Sequence, residues 1–190
     1  MRKVFLRLAF ISICLMLVCA SGWAQSAPRL SSLTHQLQAA LVDLPGYTIF
    51  DYITFRITEG RVVLLGHVLR PELRQKAEEA IRAVPGVTEI DNQIEVLPAS
   101  ADDNVIRQKA YAQLYSNPRF TWYAVQSVAP IHIVVKNGRV RLEGVVNSPS
   151  DRYIAESAIS EVVASSALED RLLASNTEFA ELSDLRIRLQ

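Results

Sequence analysis

The residues of this chain that could do chemistry are three histidines and two acidic doublets. His35, His67 and His132 stand far apart in sequence, and none has a second ligand at a spacing that suits a metal ion. Glu78-Glu79 reads as the solvated side of a helix, and Asp102-Asp103 as a linker and helix start, where acids complement the helix dipole. A dinucleotide fingerprint, a P-loop, a nucleophile elbow and an HExxH motif are all missing from the sequence. These observations point to a protein that is not an enzyme and needs no cofactor or metal.

A second group of residues suggests recognition instead. Arg107, Tyr111 and Tyr115 recur along one predicted helix, on its flank and outer side, and Arg119, Trp122 and Tyr123 follow in the connection after it. Aromatic rings with polar edges beside arginine suit a membrane interface, where the ring sits among headgroups and the cation meets phosphate. They equally suit a contact with another protein. The alternative is that Trp122 and Tyr123 pack under a neighbouring loop or against another part of the chain, because a small domain has little core to spare.

The elements that position these residues come from a repeat. At an offset of 78, Gly60, Arg61, Val62, Leu64 and Gly66 fall on Gly138, Arg139, Val140, Leu142 and Gly144, and Pro71 and Arg74 fall on Pro149 and Arg152. Upstream the offset is 73, which implies a five-residue insertion around "YAVQSVAP" in the second copy. Position by position, Thr34, Gln38, Val42, Gly46, Ile49 and Phe50 of the first copy replace the arginine–aromatic set of the second.

Each copy reads as a helix, a hairpin, a second helix and a last strand. Leu33, Leu37, Ala40, Leu41 and Leu44 mark one face of the first helix, which Pro45-Gly46 ends. A turn at Glu59-Gly60 pairs Ile57 with Val62, Phe55 with Leu64 and Ile53 with Gly66, all on one face. Asn137-Gly138 pairs Val135 with Val140, Ile133 with Leu142 and Ile131 with Gly144 in the same way, with His132 opposite Glu143 on an open sheet face. Gly66 and Gly144 then suit close approach by a helix. Pro71 and Pro149 suit the first turn of the second helix. Ile94 and Val96 belong to the last strand of the first copy; in the second, "SALEDRLLAS" reads more like helix, and Leu185, Ile187 and Leu189 mark the strand, with 168–174 as the other location.

The fold class is therefore α+β: two tandem α-β-β-α-β domains, each a three-stranded mixed sheet covered by two helices. "EGRVVLLGHVLRPELRQKAEEAIRAVPGVTEIDNQIEV" and "IHIVVKNGRVRLEGVV" resemble the BON domain, named for bacterial osmotically inducible and nodulation proteins. The resemblance makes Gly60, Gly66, Gly86, Gly138 and Gly144 structural turn and packing positions. It also implies a non-catalytic protein of the bacterial envelope that binds phospholipid surfaces or other envelope components. A KH-type RNA clamp needs a GXXG loop that neither copy has in place.

The N-terminus agrees with that location. Arg2, Lys3 and Arg7 precede an apolar run from Leu8 to Cys19, and Gly22 and Ala24 are small residues at a cleavage site, so residues 1–24 read as a signal peptide. Cleavage would remove Cys14 and Cys19 and leave 17 basic against 20 acidic residues, since the leader holds three basic residues and no acid. The domains are expected at 29–98 and 104–190 with a linker at 99–103. The expected location is periplasmic, peripheral to the outer membrane. The expected partner is an anionic phospholipid surface, with an envelope protein as the alternative and no nucleic acid.

Overall fold

A computed structural model describes residues 26–58, 60–124 and 130–175, with side chains from Ser32 onward except at Ala124. The expected leader, Glu59 of the first turn, most of the "YAVQSVAP" insertion and the strand expected at 184–189 lie outside the described residues. By chain contacts residues 1–39 and 40–190 form separate units. In the first of these only part of α1 (Ser26–Val42) is described.

Within residues 40–190 the hairpin, the helix after it and the closing strand region appear twice, while the first helix of the first copy, α1, lies mostly in the other unit. The first copy has β1 (Tyr52–Thr58), β2 (Arg61–Val68), α2 (Pro71–Arg82), β3 (Glu89–Asn92) and β4 (Glu95–Val96). The second has α3 (Ala101–Tyr115), a short 3-10 turn (Pro118–Phe120), α4 (Thr121–Ala124), β5 (Ile131–Lys136), β6 (Arg139–Val146), α5 (Pro149–Ser160) and β7 (Leu168–Ala174). Each hairpin is antiparallel, and each last strand runs parallel to the hairpin's second strand.

The hairpin registers are those that the alternation predicts: Ile57 opposes Val62, Phe55 opposes Leu64, Val135 opposes Val140 and Ile133 opposes Leu142. At the second turn Asn137 and Gly138 have φ of 52° and 75°, the left-handed pair that a type I′ turn demands. Alternate residues then fill one face. Val62, Leu64, Leu73, Ala77, Ile81 and Ile94 are buried in the first copy, and Ile131, Ile133, Leu142, Ala155, Ile159 and Leu172 in the second. In the second copy α3 packs on β5, and α5 packs on β7 and on α3. Ser148 and Ser100 cap α5 and α3 by accepting from the N–H groups of Asp151 and Asp103.

Two expectations are corrected here. Gly66 and Gly144 do not admit a helix. A Cβ at either would fall on a backbone carbonyl of the neighbouring strand region, Tyr52 or Pro130, and φ at the two is 129° and 123°. The close approach is therefore between chain segments of one sheet.

The strand that pairs with β6 is at the other location, Leu168–Ala174, and "LEDRLLA" is extended rather than helical; 184–189 lies outside the described residues. A polar pin explains it. In the first copy the Asn92 Oδ1 accepts from Ile94 N, while Arg74 donates to the Asn92 carbonyl. In the second copy Asp170 Oδ1 accepts from Leu172 N, and Arg152 donates to Asp170 Oδ2 at 2.7 Å. Where the first copy turns on Gly86, φ 96°, the second uses a 3-10 turn, Ser165–Ala167, which needs no left-handed residue.

The outward faces of the two sheets meet. Ile133 N donates to Ile49 O at 2.8 Å, so the segment before β1 runs along the free edge of β5. The His132 ring lies between Tyr47 and Tyr52, with centroids 5.4 and 5.5 Å away. Lys136 Nζ reaches Glu95 Oε1 at 2.6 Å. His132, Val134 and Glu143 are consequently buried, although the sequence places His132 on an open face. The His132–Glu143 pairing itself is present.

Candidate functional site

The arginine–aromatic set divides into buried and exposed members. Arg107 is buried, only 3% exposed, because α3 turns it toward the sheet. Its Nη2 donates to Val135 O at 2.6 Å and its Nη1 to Asn104 Oδ1 at 2.6 Å, while Nε has no partner among the described residues. Burial lowers its pKa, and the nearby Asp103 and Asp51 charges oppose that shift. Asp103 in turn accepts from Asn137 N and Gly138 N, which ties the hairpin turn to the first turn of α3. The sequence placed Arg107 on the flank or outside of its helix; the structure makes it a core fastener.

Tyr123 is also buried. Its hydroxyl accepts from Asn147 N at 2.9 Å and donates to Asp151 Oδ2 at 3.3 Å, and its ring lies edge-on to Phe120 at 5.5 Å. Arg119 forms an ion pair with Asp151. Burial alone would raise the Asp151 carboxyl, but hydrogen bonds from Arg119, Ser148 and Tyr123 hold it below the ordinary range.

The Tyr111 and Tyr115 rings lie tilted against each other with centroids 4.9 Å apart, and Phe50 of the first copy meets Tyr111 edge-on at 6.2 Å. The half-buried Tyr115 hydroxyl has no partner among the described residues, and burial pushes it up to about 12. This pair thus closes the junction between the copies while leaving Tyr111 partly exposed.

Trp122 is different. It is 67% exposed, yet its neighbours Phe120 and Tyr123 are locked into the core on either side. A short helix seated by two buried aromatics therefore holds the indole outward, with the half-exposed Arg119 side chain in the turn before it. The outer side of α3 adds exposed Val105 beside Lys109, one helical turn away. Sequence reasoning passed over Val105 and Lys109, because neither breaks the helical pattern.

Among the described residues, no group of three or more His, Cys, Asp or Glu is placed to hold a metal ion. No described helix is long and apolar enough to cross a membrane.

The family model described as BON domain matches residues 31–98 and 102–172. BON domains are known in envelope and osmotic-stress proteins, and the family is generally non-catalytic. No curated protein matches the chain. Among solved structures, a structural protein of the type III secretion system of Chlamydia trachomatis, CdsD, is similar at 16% identity and a TM-score of 0.36, covering 83% of this chain and 68% of its own. A structure of its C-terminal domain gives 16% identity and a TM-score of 0.35, covering 82% of this chain and 71% of its own.

Proposed function

Because this chain belongs to the BON-domain family, with two copies of the domain in tandem, we propose that it is a non-catalytic periplasmic protein that attaches to anionic phospholipid of the cell envelope. Export follows from the basic, apolar and small-residue pattern of residues 1–24. Attachment is peripheral and supports envelope integrity under osmotic or other stress. The observation that carries the reading is Trp122, an indole 67% exposed on a segment whose two flanking aromatics are buried. Holding a large apolar ring in water without a partner gains nothing, whereas at headgroup depth its apolar body and N–H are both satisfied. Lys109 adds charge, about 1 kcal/mol near an anionic surface, whereas the Arg119 charge is already paired with Asp151. That sum gives weak, salt-sensitive binding, which suits reversible attachment.

Vesicle co-sedimentation at several salt concentrations tests this, with the exported protein and its Trp122→Ala variant. Selective binding to anionic vesicles, weakened by salt and reduced several-fold in the variant, is the expected result. Equal pelleting with zwitterionic vesicles, or a variant that binds like the parent, would sink the proposal and turn attention to an envelope protein as partner. Tyr123→Ala is not a suitable probe, because it also removes the hydrogen bonds to Asn147 and Asp151.

A further inference from the structure

A second surface, on the other side of the second sheet, carries a different chemistry. At the turn end of the β5–β6 hairpin a cavity of about 270 Å³ opens between the copies, bounded by His67 of β2 and by Val134, Lys136, Arg139, Arg141 and Glu169. Asn137 and the apolar Val140 complete its wall, in which Lys136, Arg139 and Arg141 are the cations and Glu169 the one carboxylate. The carboxylates near it are already engaged: Glu95 with Lys136 at 2.6 Å and with His67 at 3.4 Å, and Glu169 with Arg141 at 2.9 Å and with Arg171 at 2.5 Å. Glu143 lies farther off, 3.9 and 4.0 Å from Arg141 and Arg171. Arg139 is exposed and has no ion pair among the described residues. Lys136, Arg141 and Arg171 thus share three carboxylates, and the exposed Arg139 guanidinium adds a fourth cation to the lining.

We propose that this cavity binds a small multivalent oxyanion of the phosphate class, gripped by Arg139 and Arg141 with Lys136 and His67 at its edges. A guanidinium fork matches a tetrahedral oxyanion bidentately, and a partly enclosed site strengthens each charge-assisted bond relative to open water. The Val134 floor excludes water beneath the ligand. The bound anion bridges His67 of the first copy and the hairpin of the second, so it strengthens the packing between them. It also relieves the repulsion that Arg141, Lys136 and Arg171 exert on His67, whose pKa is lowered first by burial and then by those charges. Phosphate free in solution and a phosphomonoester headgroup share this chemistry. The site does not involve Trp122, so it stands or falls separately from attachment through the aromatic surface.

The test is an NMR titration of the exported protein with inorganic phosphate, with chloride at matched ionic strength as control. Saturable shifts at amides 136–141, with a rise in the His67 pKa, are expected. Arg139→Gln should weaken phosphate about tenfold while leaving the melting temperature without phosphate unchanged; Trp122→Ala should leave phosphate affinity unchanged. Shifts that never saturate, or that chloride reproduces, or an Arg139→Gln protein that titrates like the parent, would overturn the proposal. Vesicles containing phosphatidic acid separate the two sources. Displacement of bound phosphate by the vesicles identifies the headgroup as ligand, and retention identifies the free anion.

Discussion

Replacing Arg107 separates a fastener from a contact residue. In Arg107→Ala the charged hydrogen bond to Val135 O, 2.6 Å long and buried, disappears together with the bond to Asn104. A hydrogen bond to a charged group contributes about 1.5–3 kcal/mol, and the stranded carbonyl adds a penalty of similar kind. Release of a buried guanidinium from its desolvation cost offsets part of this. The balance is a loss of roughly 2–4 kcal/mol, a large share of the ~5–15 kcal/mol typical of a folded domain. Arg107→Met keeps most of the side-chain volume and should lose about half as much. Urea unfolding reads the effect as a fall in midpoint at constant slope, roughly 1–2 M for a slope of about 1–3 kcal/mol per M. Vesicle binding per mole of folded protein should not change. An unchanged midpoint combined with weakened vesicle binding would show that Arg107 works at the surface and refute the reasoning.

The backbone and the titratable groups give further expectations. Gly144→Ala places a methyl against the Pro130 carbonyl at φ 123°, so its loss of stability should be on the order of 2–4 kcal/mol by denaturation. Gly138→Ala, at φ 75° in open space, should lose only about 1 kcal/mol in the same assay. Asp170→Ala removes the bonds to Leu172 N and Arg152, and should loosen β7 by about 2 kcal/mol, seen as faster hydrogen exchange at amides 171–174. For pH, His132 and His67 both titrate below the ordinary value of 6.5, chiefly through burial. Their contribution to stability is therefore complete above pH 6.5 and falls as pH drops through their folded values. Glu143 acts in the opposite sense: its pKa is raised above 4.5, so it returns stability as pH falls toward 4.5. His132→Asn should flatten the loss between pH 7 and 5 in thermal melts, and an unaltered slope would show that His132 is not its source.

How much could be read from the sequence depended on how local each signal was. The hairpins were legible because alternation and a left-handed Asn137-Gly138 turn fix register within a dozen residues. The last strand of the second copy was not, since "LEDRLLA" mixes good helix formers and lacks the glycine turn of its counterpart. The usable clue was a pair rather than a pattern: Arg74–Asn92 recurs as Arg152–Asp170 at the same offset of 78. Arg107 was illegible for a related reason. Its acceptor, Val135 O, lies 28 residues away, and nothing in the helix itself marks that arginine as inward. Trp122 was legible as a candidate, but its separation from Tyr123 depends on which ring reaches Asp151 and Asn147.

Duplication also changes what each sheet can be used for. A sheet covered by helices on one side leaves its other face to water or a partner, and a small domain with such a face is marginal alone. Here the two spare faces meet, which buries His132, Val134 and Glu143. The contact mixes apolar packing, with Ile49 and Phe50 against the core of the second copy, and polar links. The polar links include Lys136–Glu95, the tilted ring contacts of His132 with Tyr47 and Tyr52, and a backbone bond from Ile133 to Ile49. Junctions of this makeup resemble transient interfaces more than cores, and salt, acid and bound ions act on them directly. Tyr111 and Phe50 lie at the rim of the same junction, and Tyr111 belongs to the helix that carries Val105 and Lys109. A change in how the sheets meet is therefore felt at one end of the surface proposed for membrane contact. That coupling gives divergence a physical reason: the first copy supplies the partner face, and the second, relieved of covering its own sheet, is free to hold an indole outward.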